Sequence, residues 1–393
     1  MQVKELPTVR FVYLDNNATT PVHPQVLERY LSCCREQWGN PSSIHWAGRE
    51  SRGALETARE QVARFCGSDS SEVIFTSGGT EADNLAIKGV AAASLRRGRH
   101  IITTAVEHPA VLASCLTLEQ QGYEITRLTV DSLGMIDLNR LEAAITPETI
   151  LISAMYANNE TGVIFPVAAI GALAARHRIP FHCDGVQAAG WLPLNCRDLG
   201  VGLLSLSGHK LQAPKGVGAL IARAGVRLHP ILHGGAQERN RRAGTENLPA
   251  IVAFGEACAL IAFSREGDSQ RVRLLRDRLE RGILLLWPGA LVNGHPLERL
   301  PNTVNISFPG ARVDTLLASL DLLGIAASSG AACSSGTVRH SPVLAAMGIS
   351  PETAGASVRF SLGRDTVAED IEYVLELLPA IRERLTVDPT RGS

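Results

Sequence analysis

The chain is 393 residues long, 45% apolar and 20% charged, with a formal net charge of −1. That length supports two or three domains around a large core, and the composition excludes a disordered tail or a small disulfide-stapled module. Acids and bases are interspersed, so the charge pattern points to neither a nucleic-acid nor a membrane surface.

The start, Met1-Gln2-Val3-Lys4-Glu5-Leu6-Pro7, lacks the apolar core of a signal peptide. No stretch approaches the roughly 18 uninterrupted apolar residues of a membrane span, which predicts a cytoplasmic protein. Eight cysteines are scattered at positions 33, 34, 66, 115, 183, 196, 258 and 333. They form no Cys-x-x-Cys pair and no spacing typical of zinc, so most are expected to be small buried hydrophobes in a reducing compartment.

From about Glu72 to Arg223, short apolar runs alternate with helical stretches. The runs are Glu72 to Thr76, His100 to Thr104, Tyr123 to Val130, Ile150 to Met155, Ile179 to Asp184, Leu203 to Ser207 and Gly218 to Ala222. This alternation predicts a mainly parallel sheet covered by helices. After Asn247 a long helix rich in Ala, Leu and Arg runs to about Leu286, where Trp287-Pro288-Gly289 breaks it. Thr303 to Phe308 and Ser357 to Leu362 then alternate like antiparallel strands of a smaller α+β domain. The segment from Ala326 to Thr337 is almost entirely Ala, Ser and Gly around one cysteine.

The first candidate site residues follow the glycine turn at Gly78-Gly79. Ser71 to Leu85 reads as strand, turn and helix, which aims backbone N–H groups and a helix dipole at an anion. Gly79 allows close approach and Thr80 adds a hydroxyl. The segment is neither a Walker loop nor a dinucleotide fingerprint, and alone it also fits an ordinary strand-to-helix turn. Glu107-His108-Pro109 follows the next strand, where an imidazole can stack on a ring and move protons near physiological pH.

Asp184 closes the run Ile179 to Asp184, with Gln187 expected in the first turn of a following helix. Lys210 follows Leu203 to Ser207 through Gly208 and His209. Alone, that lysine reads as solvent-facing and that aspartate as a turn residue. Together they offer an amine and an acid at neighbouring strand ends, where ligands bind in α/β folds. Pyridoxal phosphate needs both: an amine to bond its aldehyde and a carboxylate to keep its ring nitrogen protonated. Ser207 and His209 are further candidate phosphate donors.

The motifs Tyr13-Leu14-Asp15-Asn16-Asn17-Ala18-Thr19-Thr20, Asn40-Pro41-Ser42-Ser43, Thr76-Ser77-Gly78-Gly79-Thr80-Glu81, Asn158-Asn159-Glu160-Thr161-Gly162, His182-Cys183-Asp184-Gly185-Val186-Gln187, Ser207-Gly208-His209-Lys210 and Arg241-Arg242-Ala243-Gly244-Thr245-Glu246-Asn247 occur in this order. The set resembles the cysteine desulfurases of the NifS and IscS group, class V pyridoxal phosphate enzymes, over nearly the whole chain.

The resemblance implies an α/β fold of the aspartate aminotransferase type (pyridoxal phosphate fold type I) and a homodimer. It divides the chain into a large cofactor-binding domain over 16–262 and a small domain over 1–15 and 263–393, with a catalytic cysteine loop at about 326–340. It implies that Lys210 carries the cofactor, Asp184 faces its ring nitrogen, Gln187 faces its ring oxygen and His108 stacks on the ring. Gly79, Thr80, Ser207 and His209 hold the phosphate, and Thr245 reaches the phosphate of the neighbouring subunit. Asn159 and Arg359 bind the substrate carboxylate, Arg359 as a planar fork.

Cys333 is the implied sulfur acceptor. The cofactor weakens the bond between Cβ and sulfur of free L-cysteine, the Cys333 thiolate attacks that sulfur, and alanine leaves while a persulfide stays on the enzyme. No resident metal is implied, although Cys333 is a candidate transient ligand of an iron–sulfur cluster. The persulfide passes to an acceptor protein, for iron–sulfur assembly or another thiolation pathway. Two departures stand out: Ala236 and Asn240 replace glycines common in the family, which puts the local turn in question, and the tail lacks a scaffold-docking extension. Two other readings remain open: another class V enzyme, such as an aminotransferase or selenocysteine lyase, and a catalytically silent sulfur carrier.

Overall fold

The computed structural model describes residues 10–329 and 341–386. Twelve strands are present among them: β1 Val12–Tyr13, β2 Val73–Thr76, β3 His100–Thr104, β4 Glu124–Leu128, β5 Thr149–Ser153, β6 Phe181–Asp184, β7 Leu203–Ser207, β8 Gly218–Ala222, β9 Leu291–Asn293, β10 Thr303–Ser307, β11 Ile325–Ala326 and β12 Ser357–Ser361. Seven form one sheet in the order β2-β8-β7-β6-β5-β3-β4. Every pairing in it is parallel except the two made by β8. Because β8 is flanked by antiparallel neighbours, β2 runs in the same direction as the parallel strands. The carboxyl ends of β2, β3, β5, β6 and β7 therefore share one edge.

Sequence patterning explains how that edge becomes polar. Along β6, Phe181 and Cys183 join one hydrophobic core, while His182 and Asp184 project to the opposite face. Ser205 lies in register with Asp184 and Leu203 with His182. The helix Gly79–Ala93 covers that face, burying Ala82, Leu85, Ala86 and Ile87 with Ile101, Ile150 and Leu203. The run at 179 forms strand only from Phe181, since Pro180 lacks an N–H for the ladder. Glu72 belongs to a one-turn 3-10 helix, Ser70–Glu72, closed by a capping box with Asp69.

A second sheet has the antiparallel order β12-β10-β9, and β1 pairs in parallel with β11. These strands enclose a separate core that contains Val12, Leu14, Val304, Phe308, Leu316, Val358 and Leu378. The helix Leu248–Leu286 joins the two cores. Its first part, from Leu248 to Ile261, packs into the large-sheet core, and Val272, Leu279 and Ile283 pack into the other. By length and composition this helix is apolar enough to cross a membrane, which the sequence reading did not anticipate, and 56% of its most apolar stretch is buried inside the protein.

Candidate active site

A cavity of about 350 Å³ opens at the polar edge. Gly79, Thr80, His108, Asn159, Asp184, Gln187, Ser207, His209, Lys210 and Arg359 all line it, so one space gathers residues spread over 280 positions of sequence.

The turn after β2 builds one end. Gly78, at φ 156°, caps the helix Gly79–Ala93 without a side-chain hydrogen bond, so the first-turn amides stay open. A Cβ on Gly79 would come within 2.9 Å of Val186 Cγ2, and one on Gly218 within 2.7 Å of Gly78 Cα. Glycine at these positions lets the turn lie close against β7 and β8, with Thr80, Ser207 and His209 beside it. Burial, reinforced by Lys210, lowers His209 to about 4, so its imidazole is neutral at physiological pH.

Lys210 approaches the other wall. Its Nζ donates to the carbonyl oxygens of Asn17 and Ala18, the latter at 2.6 Å. Burial, with Arg359 adding repulsion, lowers this amine to about 8. Asp184 Oδ1 accepts from the Val186 amide at 3.0 Å, which leaves its other oxygen for the cavity. Burial raises this carboxyl to about 6, and the neighbouring Asp83 adds to the shift. His108 caps the helix Pro109–Gln120, and its Nδ1 accepts from the Ala110 amide at 3.2 Å. In the neutral ring the proton therefore sits on Nε2. Burial lowers its basicity, against the pull of Asp184.

The model for class V aminotransferases matches residues 12–374. The chain is 52% identical over 374 residues to a cysteine desulfurase of Trichormus variabilis, covering 95% of this chain and 94% of that one. It is 48% identical to the cysteine desulfurase IscS of Methanosarcina thermophila, covering 95% and 92%. A solved NifS-like protein superposes with a TM-score of 0.90 at 37% identity, covering 95% of this chain and 100% of that one. The chain belongs to the cysteine desulfurases of the class V aminotransferase family.

In this cysteine desulfurase another part of the cavity wall is built by the turn after β5 and by β12. Arg359, 4% exposed, donates from Nη1 to the Asn159 carbonyl at 3.0 Å and from Nη2 to Asp15 Oδ1 at 2.6 Å. Its Nε has no partner among the described residues. Ser328, which lines the cavity, pairs through its backbone with Arg359. Ser341 donates to Glu160, next to Asn159. Ser328 and Ser341 flank the segment with Cys333, which itself lies outside the described residues.

Thr245 is exposed and does not line the cavity. Its loop is braced from behind, where Arg242 reaches Glu81 Oε1 at 2.8 Å. The replacements at Ala236 and Asn240 are compatible with the turn. Ala236 has φ −84°, which needs no glycine. Asn240, at φ 62°, occupies the left-handed region that asparagine tolerates. Glu238 and Arg239 share that conformation, and the buried Arg59 guanidinium clamps Glu238 through two hydrogen bonds of 2.8 Å.

One local expectation is corrected. Gln187 lies in a series of turns rather than a helix: only Ala189 to Gly185 and Leu192 to Ala188 make helical hydrogen bonds, and Pro193 has no N–H to continue them. Its Nε2 donates to the Asn17 carbonyl at 3.0 Å. Sequence reasoning missed Asp15, Asn17, Asp83 and Glu107 as site residues. Asp15 and Asn17 stood in a quoted motif, but nothing local marked their approach to Lys210 and Arg359.

Proposed function

We propose that this chain removes sulfur from L-cysteine, releasing L-alanine and leaving a persulfide on Cys333, with pyridoxal phosphate bound in the cavity. The convergence of Lys210, Asp184 and Arg359 on one space carries the reading. It supplies an amine, an acid for a ring nitrogen and a fork for an amino-acid carboxylate.

The residues fit the cofactor. Gly78 and Gly79 leave open amides for a phosphate, with Thr80, Ser207 and His209 as further donors. Asp184 serves the ring nitrogen, Gln187 the ring oxygen, and His108 the ring face. When bound, the cofactor supplies the electron sink that weakens the bond between Cβ and sulfur of the substrate.

The protein groups do the rest. An amine near 8 is partly unprotonated at neutral pH, so Lys210 is suited both to bond the cofactor's carbonyl carbon and to take the substrate's α-proton. Arg359 and Asn159 fix the substrate carboxylate and thereby its Cα. The Cys333 thiolate attacks the substrate sulfur: a sulfur–sulfur bond forms, the Cβ–sulfur bond breaks, and the carbon gains a proton to become alanine. Ser328 and Ser341 bring both flanks of the Cys333 segment to the substrate end. We further propose a homodimer in which Thr245 serves the partner's phosphate site, and a protein acceptor for the persulfide. A large domain over 16–262 and a small one over 1–15 and 263–393 accord with the change of core between Ile261 and Val272.

Purified protein supplied with pyridoxal phosphate and L-cysteine should form alanine and persulfide sulfur in equal amounts. Lys210→Ala should lose the visible absorbance of covalently held cofactor, and Cys333→Ser should lose the persulfide. Full sulfide release by Cys333→Ser in the presence of a thiol reductant would remove the cysteine from its role.

A further inference from the structure

The helix Gly79–Ala93 buries Asp83, 1% exposed, among Ala82, Leu85, Ala86 and Ile87. A carboxyl in that place carries a desolvation cost that an apolar residue avoids. Its Oδ1 has no hydrogen-bond partner among the described residues, and its side chain lines the cavity. His182 Nε2 is 3.5 Å from that oxygen but supplies no positive charge, because burial lowers the ring to about 4. The ring instead bonds Ser153 at 2.8 Å and Ser205 at 2.9 Å.

Asp83, Asp184 and His108 each bring a ligand-type atom within 4.8 Å of the others. Glu107, in the turn after β3, adds a third buried carboxyl, one of whose oxygens is unpartnered among the described residues. The groups near Asp83 are His182 and Asp184 from β6, Ser205 from β7, and Glu107 and His108 from the turn after β3. This side of the cavity is rich in acids and poor in cations, so it suits a ligand that brings a positive charge to it.

We propose that Asp83 is a second carboxylate for the ring-nitrogen end of the cofactor cradle, a positioning residue whose negative charge adds to that of Asp184 where the ring nitrogen carries its proton. The inference rests on the placement of Asp184 beside that nitrogen proposed above. Burial raises Asp83 to about 7 and Asp184 to about 6, and Asp83 is the strongest charge acting on Asp184. The two carboxyls therefore ionise in the same range, and the charge of Asp83 opposes that of Asp184 unless a nearby cation offsets it.

The test is a pH titration of the visible absorbance of the holoenzyme, with cofactor retention on dialysis and far-UV circular dichroism measured beside it. Asp83→Asn preserves volume and should lower the absorbance midpoint by roughly half a unit to one unit and weaken retention several-fold, because a negative charge that favours the protonated cofactor is gone. Asp184→Asn should shift it further in the same direction. The Ser205 hydroxyl bonds the Asp83 carboxyl and favours its ionised form, so Ser205→Ala should give a smaller shift of the same sign, which keeps the test available if Asp83→Asn fails to fold. An unmoved midpoint in Asp83→Asn or Ser205→Ala, with Asp184→Asn moved, overturns the role of Asp83 and leaves that of Asp184 intact. A wild-type titration in Asp184→Asn overturns both.

Discussion

Arg359 Nη2 lies 2.6 Å from Asp15 Oδ1, so the guanidinium proposed to receive the substrate carboxylate already meets a carboxylate of its own chain. Arg359 is 4% exposed, and its charge would be left unpaired without that partner. Removing one member of such a pair costs about 2 kcal/mol, discounted for the partial exposure of Asp15. Asp15→Ala should therefore lower the melting temperature of the cofactor-free protein. An amino-acid carboxylate can restore the missing charge, so L-alanine should raise the melting temperature of Asp15→Ala more than that of wild type. Equal protection of the two proteins would mean that Arg359 does not bind the carboxylate.

That contact shows where sequence reasoning reached and where it stopped. The meeting of Lys210, Asp184 and His108 in one cavity was legible because each ends or closely follows an apolar run, and a parallel sheet delivers such ends to one edge. The strand Gly218–Ala222 was read without error, since glycine opens it and the apolar run fills it. Asp15 was different: it reaches Arg359 because β1 pairs with β11 and Asp15 bridges Ser361, contacts across more than 300 residues that no local period announces. Asp83 sits in the quoted glycine-turn segment, where a polar residue on a helix reads as solvent-facing until packing shows otherwise. The helix expected after Asp184 failed for a local reason, as Pro193 has no N–H to continue the turns.

Glu107 gives the cofactor-free protein a pH dependence with a defined sign. Its Oε1 accepts from Thr104 Oγ1 at 2.7 Å and from the Met155 amide at 3.0 Å, while Oε2 lacks a partner among the described residues. Burial raises the carboxyl to about 8, against about 4.3 in an unfolded chain. Between those values the folded state holds a proton that the unfolded state has lost, so stability falls as pH rises. The contribution is complete below about 4.3 and is lost as pH climbs through the folded value. Melting temperatures measured from about pH 5 to about pH 9 should fall less steeply in Glu107→Gln than in wild type. Asp83 and Asp184, also raised, keep part of the slope. Parallel curves for the two proteins would place the Glu107 proton elsewhere.

Thr245 supplies the last prediction, because the single chain leaves it exposed and away from its own cavity. Its loop is nevertheless fixed: Arg242 pairs with Glu81, whose Oε2 accepts from the Ser77 amide at 2.8 Å beside the glycine turn. The proposed two-fold dimer would bring one subunit's Thr245 to the other subunit's proposed phosphate end, with both loops braced by the same contacts. Thr245→Ala and Lys210→Ala should each be severely impaired as pure proteins. In a hybrid dimer, the subunit that keeps Lys210 receives Thr245 from its partner, so one of the two sites is whole. Random exchange of equal amounts makes half the dimers hybrids, and desulfurase activity should recover to about a quarter of wild type. Mixing without recovery, in dimers shown by mass spectrometry to be hybrid, would return Thr245 to its own subunit.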